Sequence, residues 1–506
     1  MLDGTVRGAE DADRRCPAAP VTPEGAGDFL LYQSGLPARQ NIPVHRNTKR
    51  NRAVALLVVI TMALTALTAS LGSGSASASA PPVQLTVAYW SGYNPSGIDI
   101  MPAWLNAAAA DFRKTHPNVT IKPEEITTSS EAEYYTKIDL SERNRATTPD
   151  IVFEDSFLIG SDASAGFLRP LPALTKWSGW SHFDPTMQKI VEYKGQVYGA
   201  MNSTDAELFY YSHKVLQKAG LPASWQPHSW SDVLRAAKAV KAHDPGVIPV
   251  WIYTGQASGE EASFRGFEVF LDGTQDRLYD YATAKWEISG PGLTSTWNLL
   301  ASLRPYEEPE SDWSSPLSDA TVDLSLIPSQ KVGIVLDGSW VATAFVPGGL
   351  KPWPGFFSAI GEAKLPTQNG QAPGYTNQSG GWALSVPTQA PHPDLSTAFI
   401  EAASSPQRLA SFDPSSGNLP PRADVLTQPA WIKATNVNPV MDFAAAQIPY
   451  TNYRPALPAY LEISNEIALL TGEISSGSIT AQQAATQYAT TVTGIVGSAN
   501  VERRST

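Results

Sequence analysis

A strand–helix–strand pattern that begins at residue 83 constrains the fold of this chain more than any other feature. Val83–Trp90 (VQLTVAYW) is rich in β-branched and aromatic residues, and NVTIKPEEI contains a second short strand at 119–121. Between them, residues 103–115 place Trp104 and Phe112, with other apolar residues, at helical spacing. This order predicts a βαβ unit, which is parallel and right-handed in nearly all proteins.

The same alternation continues along the chain. A helix from about Glu131, with the capping pair Ser130 and Glu133, leads to an apolar strand at 150–153. Further strands are predicted at 196–201, 208–211, 247–253, 330–346 and 380–387, and further helices at 230–243, 394–403, 405–411, 458–471 and 481–496. We therefore expect an α/β fold.

Size, charge and cysteine content limit what this fold contains. With 506 residues the chain is too long for one ordinary core, and about 150 residues per domain predicts three domains or two large ones. The net charge of -12 disfavours nucleic acid as a partner. The only cysteine, Cys16, precedes an apolar segment, so the rest of the chain has no disulfide and no cysteine-ligated metal.

The apolar segment at 53–71 is typical of export. Basic residues precede it and the small-residue run GSGSASASA follows it, which is the order of a signal peptide. We predict that 46–80 is a signal peptide cleaved after Ala78; a retained membrane anchor is the alternative. Residues 1–45 are polar and aperiodic, so we expect a disordered tail. An alternative hypothesis is that translation starts near Val44, in which case this tail is not synthesised.

Several motifs occur in the order found in one protein family. They are PDIVFEDSFLIGSDASAGFLRPL at 149–171, KGQVYGAMNSTDAELFYYSHKVLQKAGLP at 194–222, KVGIVLDGSWVA at 331–342 and GGWALSVP at 380–387. Together they resemble the extracellular solute-binding proteins of ABC importers, in the sugar-binding group related to maltose- and trehalose-binding proteins. Gram-positive members usually carry a lipid-modified cysteine after the apolar segment, but Ser70 occupies that place here.

This resemblance implies a periplasmic-binding-protein-like fold of type II, with two discontinuous α/β lobes joined by a three-segment hinge. We expect 81–203 plus 339–380 to form lobe 1 and 204–338 plus 381–500 to form lobe 2, with crossings near 202–205, 337–340 and 381–382. The implied function is to bind a sugar by hinge closure and deliver it to a membrane permease. The expected state is a monomer without a cofactor or a metal.

A hydroxylated ligand needs flat apolar faces for its C–H surfaces and polar groups for its hydroxyls. Trp90 ends the first strand, where ligands of open α/β sheets bind, although a partly buried indole is equally expected there. Asp155 resembles the family's ligand carboxylate; adjacent Glu154 is a weaker candidate, because charged residues at strand ends are usually exposed. Asp205 lies at the first predicted crossing, where the family often presents an acidic group, and a turn residue is the alternative.

The other two predicted crossings supply further candidates. Trp340 in DGSWVA resembles the family's stacking aromatic residue, and Trp382 in GGWALS lies at the last crossing. Gly381 permits either close approach of the backbone to a ligand or a tight bend. Three weaker candidates, for which a solvated surface position is favoured, are Glu260, Glu261 and Arg422.

The sequence lacks the common catalytic motifs. There is no HExxH, no GxSxG, no phosphate loop ending in GK[ST] and no GxGxxG, so we do not expect an enzyme. The strongest rival is a secreted carbohydrate-active hydrolase or lyase that uses Asp155, Asp205 and Glu260 as cleft carboxylates. A surface adhesin or sensor ectodomain is a third class, and it would retain the apolar segment.

Overall fold

Two mixed sheets organise the part of the chain that the structure describes, which is 81–93, 99–128, 131–315 and 318–504 of a computed structural model. These residues belong to one compact unit, 78–506. The expectations about the tail, the signal peptide, Ser70 and the Ser130 cap lie outside the described residues. Within the described ranges, no helix combines the length and the apolar character needed to cross a membrane.

The first sheet has five strands and contains the predicted βαβ unit. Its order is Val119–Ile126, Val83–Trp90, Ile151–Asp155, Trp382–Ser385 and Gly199–Met201. The first two strands pair in parallel from Val83 opposite Val119, and Met101–Phe112 is the helix between them, so this prediction is confirmed. Trp382–Ser385 pairs antiparallel with Ile151–Asp155.

The second sheet has four strands, in the order Ile360–Ala363, Glu207–Ser212, Val332–Gly338 and Ile248–Trp251. Every residue of its two central strands is buried. A strand covered on both faces is expected to be a nearly continuous apolar run, which ELFYYS and VGIVLDG largely are. The charged exceptions, Glu207 and Asp337, lie at the same end of these two central strands, where Glu207 starts its strand.

Helices cover both sheets. The longer ones are Met101–Phe112, Glu131–Glu142, Trp230–His243, Pro291–Leu303, Pro393–Ala403, Pro406–Ser416, Tyr460–Ser476 and Ala481–Val496. Trp230–His243 and Ala481–Val496 have the predicted bounds, and each begins with a capping box. We call the first sheet with its helices the first lobe, and the second sheet with its helices the second lobe.

Shorter elements complete the described chain. Two three-stranded sheets contain Leu365–Pro366, Tyr375–Ser379 and Thr451–Tyr453, and Tyr279–Asp280, Lys285–Ser289 and Val501–Arg503; Glu192–Tyr193 and Gln196–Val197 form a hairpin. Short helices are Ile159–Ala165, Pro185–Ile190, His213–Lys218, Glu260–Ser263, Val269–Leu271, Glu310–Trp313, Ser318–Thr321, Ile327–Ser329, Phe356–Ala359, Pro429–Thr435 and Val440–Ala445. A π-helical turn, Phe264–Glu268, follows Glu260–Ser263.

The chain crosses from the first sheet to the second at 202–206 and returns at 380–381. These two segments run side by side: the Asn202 N–H donates to the Trp382 carbonyl at 2.7 Å, and the Thr204 hydroxyl donates to the Gly380 carbonyl at 3.0 Å. The Asn377 side chain accepts a hydrogen bond from the N–H of Glu207 and donates one to its carbonyl, which fixes the start of the strand Glu207–Ser212. After Thr451–Tyr453, the chain enters the second lobe again through the helix Tyr460–Ser476.

The strand pairing corrects the predicted lobe boundaries. Ile360–Ala363 pairs with Glu207–Ser212 in the second sheet, although 339–380 was expected in lobe 1. Trp382–Ser385 belongs to the first sheet, and Pro393–Ala403 packs on Met101–Phe112, although 381–500 was expected in lobe 2. The segment 337–340 was predicted to cross between the lobes, but the chain after it returns to the second sheet at Ile360–Ala363. That return depends on pairing with distant strands, which the local sequence does not indicate.

Candidate functional site

The carboxyl ends of the strands in both sheets meet at the crossing segments. In the first sheet, Asp155 ends its strand opposite Trp382. In the second, Gly338 ends its strand opposite Glu207, which follows the first crossing directly. Ligands of open α/β sheets bind beyond these ends, so this is the region where the predicted site residues are expected.

Arg454 links the two lobes in this region. Its guanidinium donates to Asp155 of the first lobe at 2.6 Å and to Glu260 of the second lobe at 2.8 Å. The same group lies over the rings of Phe157 and Phe264, with centroids 4.8 and 4.9 Å away. Glu260 therefore belongs to a buried ionic contact between the lobes rather than to the solvated surface that was favoured for it.

A second buried arginine organises the second lobe's side of the site. Arg265 is 2% exposed and lies within 2.6 Å of Glu261 and 2.9 Å of Asp337. Its guanidinium lies over the rings of Tyr253 and Trp340 at 4.3 and 4.9 Å. Glu261 is thus an ion-pair partner, and half-buried Trp340 holds its indole flat against a cation.

Asp205 and Gly381 hold the crossing segments together. The Gly380 N–H donates to the Asp205 carboxylate at 2.7 Å, and the Ser379 hydroxyl donates to the Asp205 carbonyl at 2.6 Å. Gly381 has φ of 129°, and a Cβ there would lie 2.2 Å from the Ser203 carbonyl oxygen. Of the two explanations offered for Gly381, the structure therefore favours the tight bend.

Aromatic side chains cluster at the first lobe's edge. Trp90 and Trp382 stack with ring centroids 6.1 Å apart, and Trp382 also stacks on Phe153 at 5.0 Å. Tyr93 meets Trp382 edge to face at 5.2 Å. The indole N–H of Trp90 is buried and has no hydrogen-bond partner among the described residues.

Two of the predicted residues lie elsewhere in the first lobe. Glu154 is 1% exposed; burial raises its pKa well above the ordinary value, and the Asp162 and Glu142 carboxylates raise it further, so it is neither solvent-facing nor part of the interlobe contact. Successive strand residues point to opposite faces, which separates Glu154 from Asp155. Arg422 is 3% exposed and forms a bidentate pair with Asp424 at 2.7 and 2.8 Å, which corrects the expectation of a surface position.

Burial shapes the protonation of the site. It raises the pKa of Asp155 to about 6, and the nearby Arg454 charge opposes this rise. Burial also raises the pKa of Asp205, and it raises that of Glu207 well above its ordinary value. Burial thus favours the protonated form of these carboxyl groups, and a protonated carboxyl can donate as well as accept hydrogen bonds.

The sequence interpretation missed both arginines. Arg265 follows the acidic pair in EEASFRG, and Arg454 lies in a loop, NYRPALP, without periodicity. For Arg265, the spacing of four residues from Glu261 within a helical segment was a usable signal. The described carboxylates close enough to share a metal ion are Asp280, Glu287 and Glu502, and none of the predicted site residues is among them.

Comparison with known protein families places the chain in a class. The profile of one family, described as bacterial extracellular solute-binding protein, matches residues 107–439, about two thirds of the sequence. The chain therefore belongs to the family of bacterial extracellular solute-binding proteins. This confirms the resemblance to extracellular solute-binding proteins stated from the motifs, and with it the expectation of a solute-binding protein rather than an enzyme.

Similar solved structures confirm the predicted fold. The GacH receptor of Streptomyces glaucescens, solved unliganded and with acarbose, has a TM-score of 0.66 at 19% identity, covering 83% of this chain and 100% of that one. Maltose-bound MalE3 of T. maritima has a TM-score of 0.64 at 17% identity, covering 82% and 100%.

Among curated proteins, the sn-glycerol-3-phosphate-binding periplasmic protein UgpB of Agrobacterium fabrum is 30% identical over 127 residues, 23% of this chain. That match spans 29% of the relative's length.

Proposed function

We propose that the protein is an exported receptor that binds a sugar or an oligosaccharide between its lobes and delivers it to the membrane permease of an ABC importer. The observation that carries this proposal is the meeting of aromatic faces and carboxylates at the carboxyl ends of both sheets. Trp90 and Trp382, which stack on each other, lie on one lobe, and Trp340, which stacks on Arg265, lies on the other; all three remain partly exposed. The similar solved structures, with acarbose, maltose and other saccharides, support this ligand class.

The energetics favour a site that combines both kinds of group. Covering about 100 Å² of apolar sugar surface gives only ~2.5 kcal/mol, whereas micromolar binding needs ~8 kcal/mol. Directed hydrogen bonds supply the difference, from Asp155 and Asp205 with contributions from Glu260 and Glu261.

Binding requires the lobes to move apart. In the present arrangement Arg454 forms ion pairs with both Asp155 and Glu260. Ligand hydroxyls can therefore reach these carboxylates only when the lobes separate. The crossing segments 202–206 and 380–381 are the natural pivots, because they contain the backbone that connects the two sheets. Closure on the ligand then produces the form that we expect the permease to recognise.

A ligand screen with matched variants tests the proposal. We expect at least one neutral mono- or oligosaccharide to stabilise the protein against heat without being cleaved, and calorimetry to give one molecule per cleft. Trp340→Ala should weaken that binding about 30-fold, corresponding to ~2 kcal/mol, because the stacking face is lost. Trp177→Ala, at a half-buried tryptophan of the first lobe outside the crossing region, should leave the affinity unchanged.

Some outcomes would contradict the proposal. Release of a cleavage product would favour the carbohydrate-active hydrolase or lyase, and no saccharide binding across the screen would remove the proposed ligand class. We expect the free protein in solution to be mainly open, so scattering should show a smaller radius of gyration with ligand than without it. N-terminal sequencing of protein recovered from culture medium tests export, with a first residue at 79 expected if the signal peptide is cleaved.

A further inference from the structure

A cavity of about 750 Å³ lies between the lobes, and none of the ten predicted site residues lines it. One wall is the first-lobe segment 186–192, the opposite wall is the second-lobe segment 268–281, and 451–457 joins them. Pockets that hold small molecules have volumes of about 300–1,000 Å³. The cavity is therefore large enough for a ligand of its own.

Buried polar atoms without partners belong to the residues that line this cavity. Gln378 is 2% exposed; its side-chain NH₂ donates to Glu268 at 2.7 Å, but its carbonyl oxygen has no partner among the described residues. One carboxylate oxygen of Asp272 and the Nε–H of Arg454 are likewise unpartnered. Leaving such groups unpaired costs about 1–3 kcal/mol each, which a ligand with both donors and acceptors would recover.

The charges of the lining balance. Lys189 donates to Glu192 at 2.9 Å, and Arg277 lies 3.8 Å from Asp272. Arg454 is already paired outside the cavity. Glu268, the remaining acidic residue of the lining, accepts hydrogen bonds from Gln378 and Tyr460, and burial raises its pKa well above the ordinary value, which favours its neutral form. A charged ligand would therefore lose its hydration without gaining an unpaired opposite charge in the cavity, whereas a neutral ligand would not have this desolvation cost. The phenol of Tyr281, 67% exposed, adds a flat face at the cavity.

We propose that this cavity is a second binding site, for a small neutral polyhydroxylated molecule, separate from the solute cleft at the carboxyl ends of the strands. The wall residues come from both lobes, so a molecule bound there favours the arrangement of the lobes that forms the cavity. By linkage, the affinity for a solute in the cleft then changes when the cavity is occupied.

The test separates the two sites by substitution. Trp340→Ala weakens the cleft and leaves the cavity lining untouched, so it serves as the background. On this background, Gln378→Met removes the unpartnered acceptor, and Thr186→Trp places a large ring at an exposed position of the cavity wall. Thr175→Trp makes the same change at an exposed threonine outside the cavity.

The probes are glycerol, myo-inositol, glucose and maltose, with glucose 6-phosphate and putrescine as charged comparators, each at about 10 mM to detect weak binding. We expect at least one neutral probe to stabilise the Trp340→Ala protein with one-to-one stoichiometry. Its affinity should fall at least tenfold with Gln378→Met and with Thr186→Trp, and should be unchanged with Thr175→Trp.

Three results would overturn the second site: no stabilisation of the Trp340→Ala protein by any neutral probe, stabilisation that survives both cavity substitutions, or stabilisation by the charged comparators alone. Thr186 is exposed, so Thr186→Trp gives a folded protein even if Gln378→Met does not. The proposed solute cleft is tested separately: if Trp340→Ala leaves the saccharide affinity of the wild-type protein unchanged, the cleft proposal fails, whatever the result for the cavity.

Discussion

Arg454 is the residue whose surroundings differ most from what its sequence position indicates. It comes from an aperiodic loop, yet its side chain is 5% exposed and pairs with a carboxylate from each lobe. Removing one partner of a buried pair is costly, because the remaining charges keep their desolvation penalty without compensation. The raised pKa of Asp155 softens this cost, since that group can take up a proton.

We expect Arg454→Met to lower the free energy of unfolding by about 3 kcal/mol at neutral pH. The control is Arg408→Met, because Arg408 pairs with Asp111 where both side chains are partly exposed, at 27% and 36%. Exposed pairs contribute about 1 kcal/mol or less. Urea denaturation monitored by tryptophan fluorescence measures both variants, and equal losses would show that the interlobe pair adds no special stability.

At the scale of elements, the crossing segments depend on a glycine at one point. Gly381→Ala would place a Cβ 2.2 Å from the Ser203 carbonyl oxygen, at a φ of 129° that other residues rarely adopt. We expect a loss of at least about 2 kcal/mol. Gly494→Ala, in the helix Ala481–Val496 with open space around it, should be neutral or stabilising by up to about 1 kcal/mol. Thermal denaturation distinguishes the two, and comparable melting temperatures would refute the tight-bend explanation for Gly381.

The helix Ala481–Val496 offers a second test at this scale. The Thr480 hydroxyl accepts from the Gln483 N–H at 3.3 Å and completes the capping box. Thr480→Ala should cost about 1 kcal/mol of unfolding free energy. Thr490→Ala, in the middle of the same helix where the threonine is exposed, should cost nothing, since alanine is the better helix former. A cap variant as stable as the mid-helix variant would contradict this.

Local patterns and long-range pairing explain what the sequence could and could not predict. The bounds of Trp230–His243 follow from a capping box and a helical period, which are both local signals. The lobe that contains Ile360–Ala363 depends on pairing with Glu207–Ser212, about 150 residues earlier, and no local pattern encodes that choice. Asp155 could be found from its place after a strand, whereas Arg454 reaches the same site from a loop whose path only the folded chain defines.

For the whole molecule, buried carboxyl groups set the response to pH. Burial raises the pKa of Asp155 to about 6, of Asp162, Asp272 and Glu362 to about 7, and of Glu142 to about 9. The unfolded chain has carboxyl pKa values near 4. Between pH 4 and 7 the folded state therefore binds more protons than the unfolded state.

Stability must then fall as pH rises through this window, because the slope of the unfolding free energy with pH follows the protons bound in the unfolded state minus those in the native state. We expect the free energy of unfolding to be higher at pH 5 than at pH 7 by at least about 2 kcal/mol, at 1.36 kcal/mol per unit of pKa shift for each group. Asp162→Asn removes one of these groups and should reduce the slope. Denaturation curves at several pH values measure it, and an unfolding free energy that is flat or increases from pH 5 to pH 7 would show that these carboxyls keep ordinary pKa values in the fold.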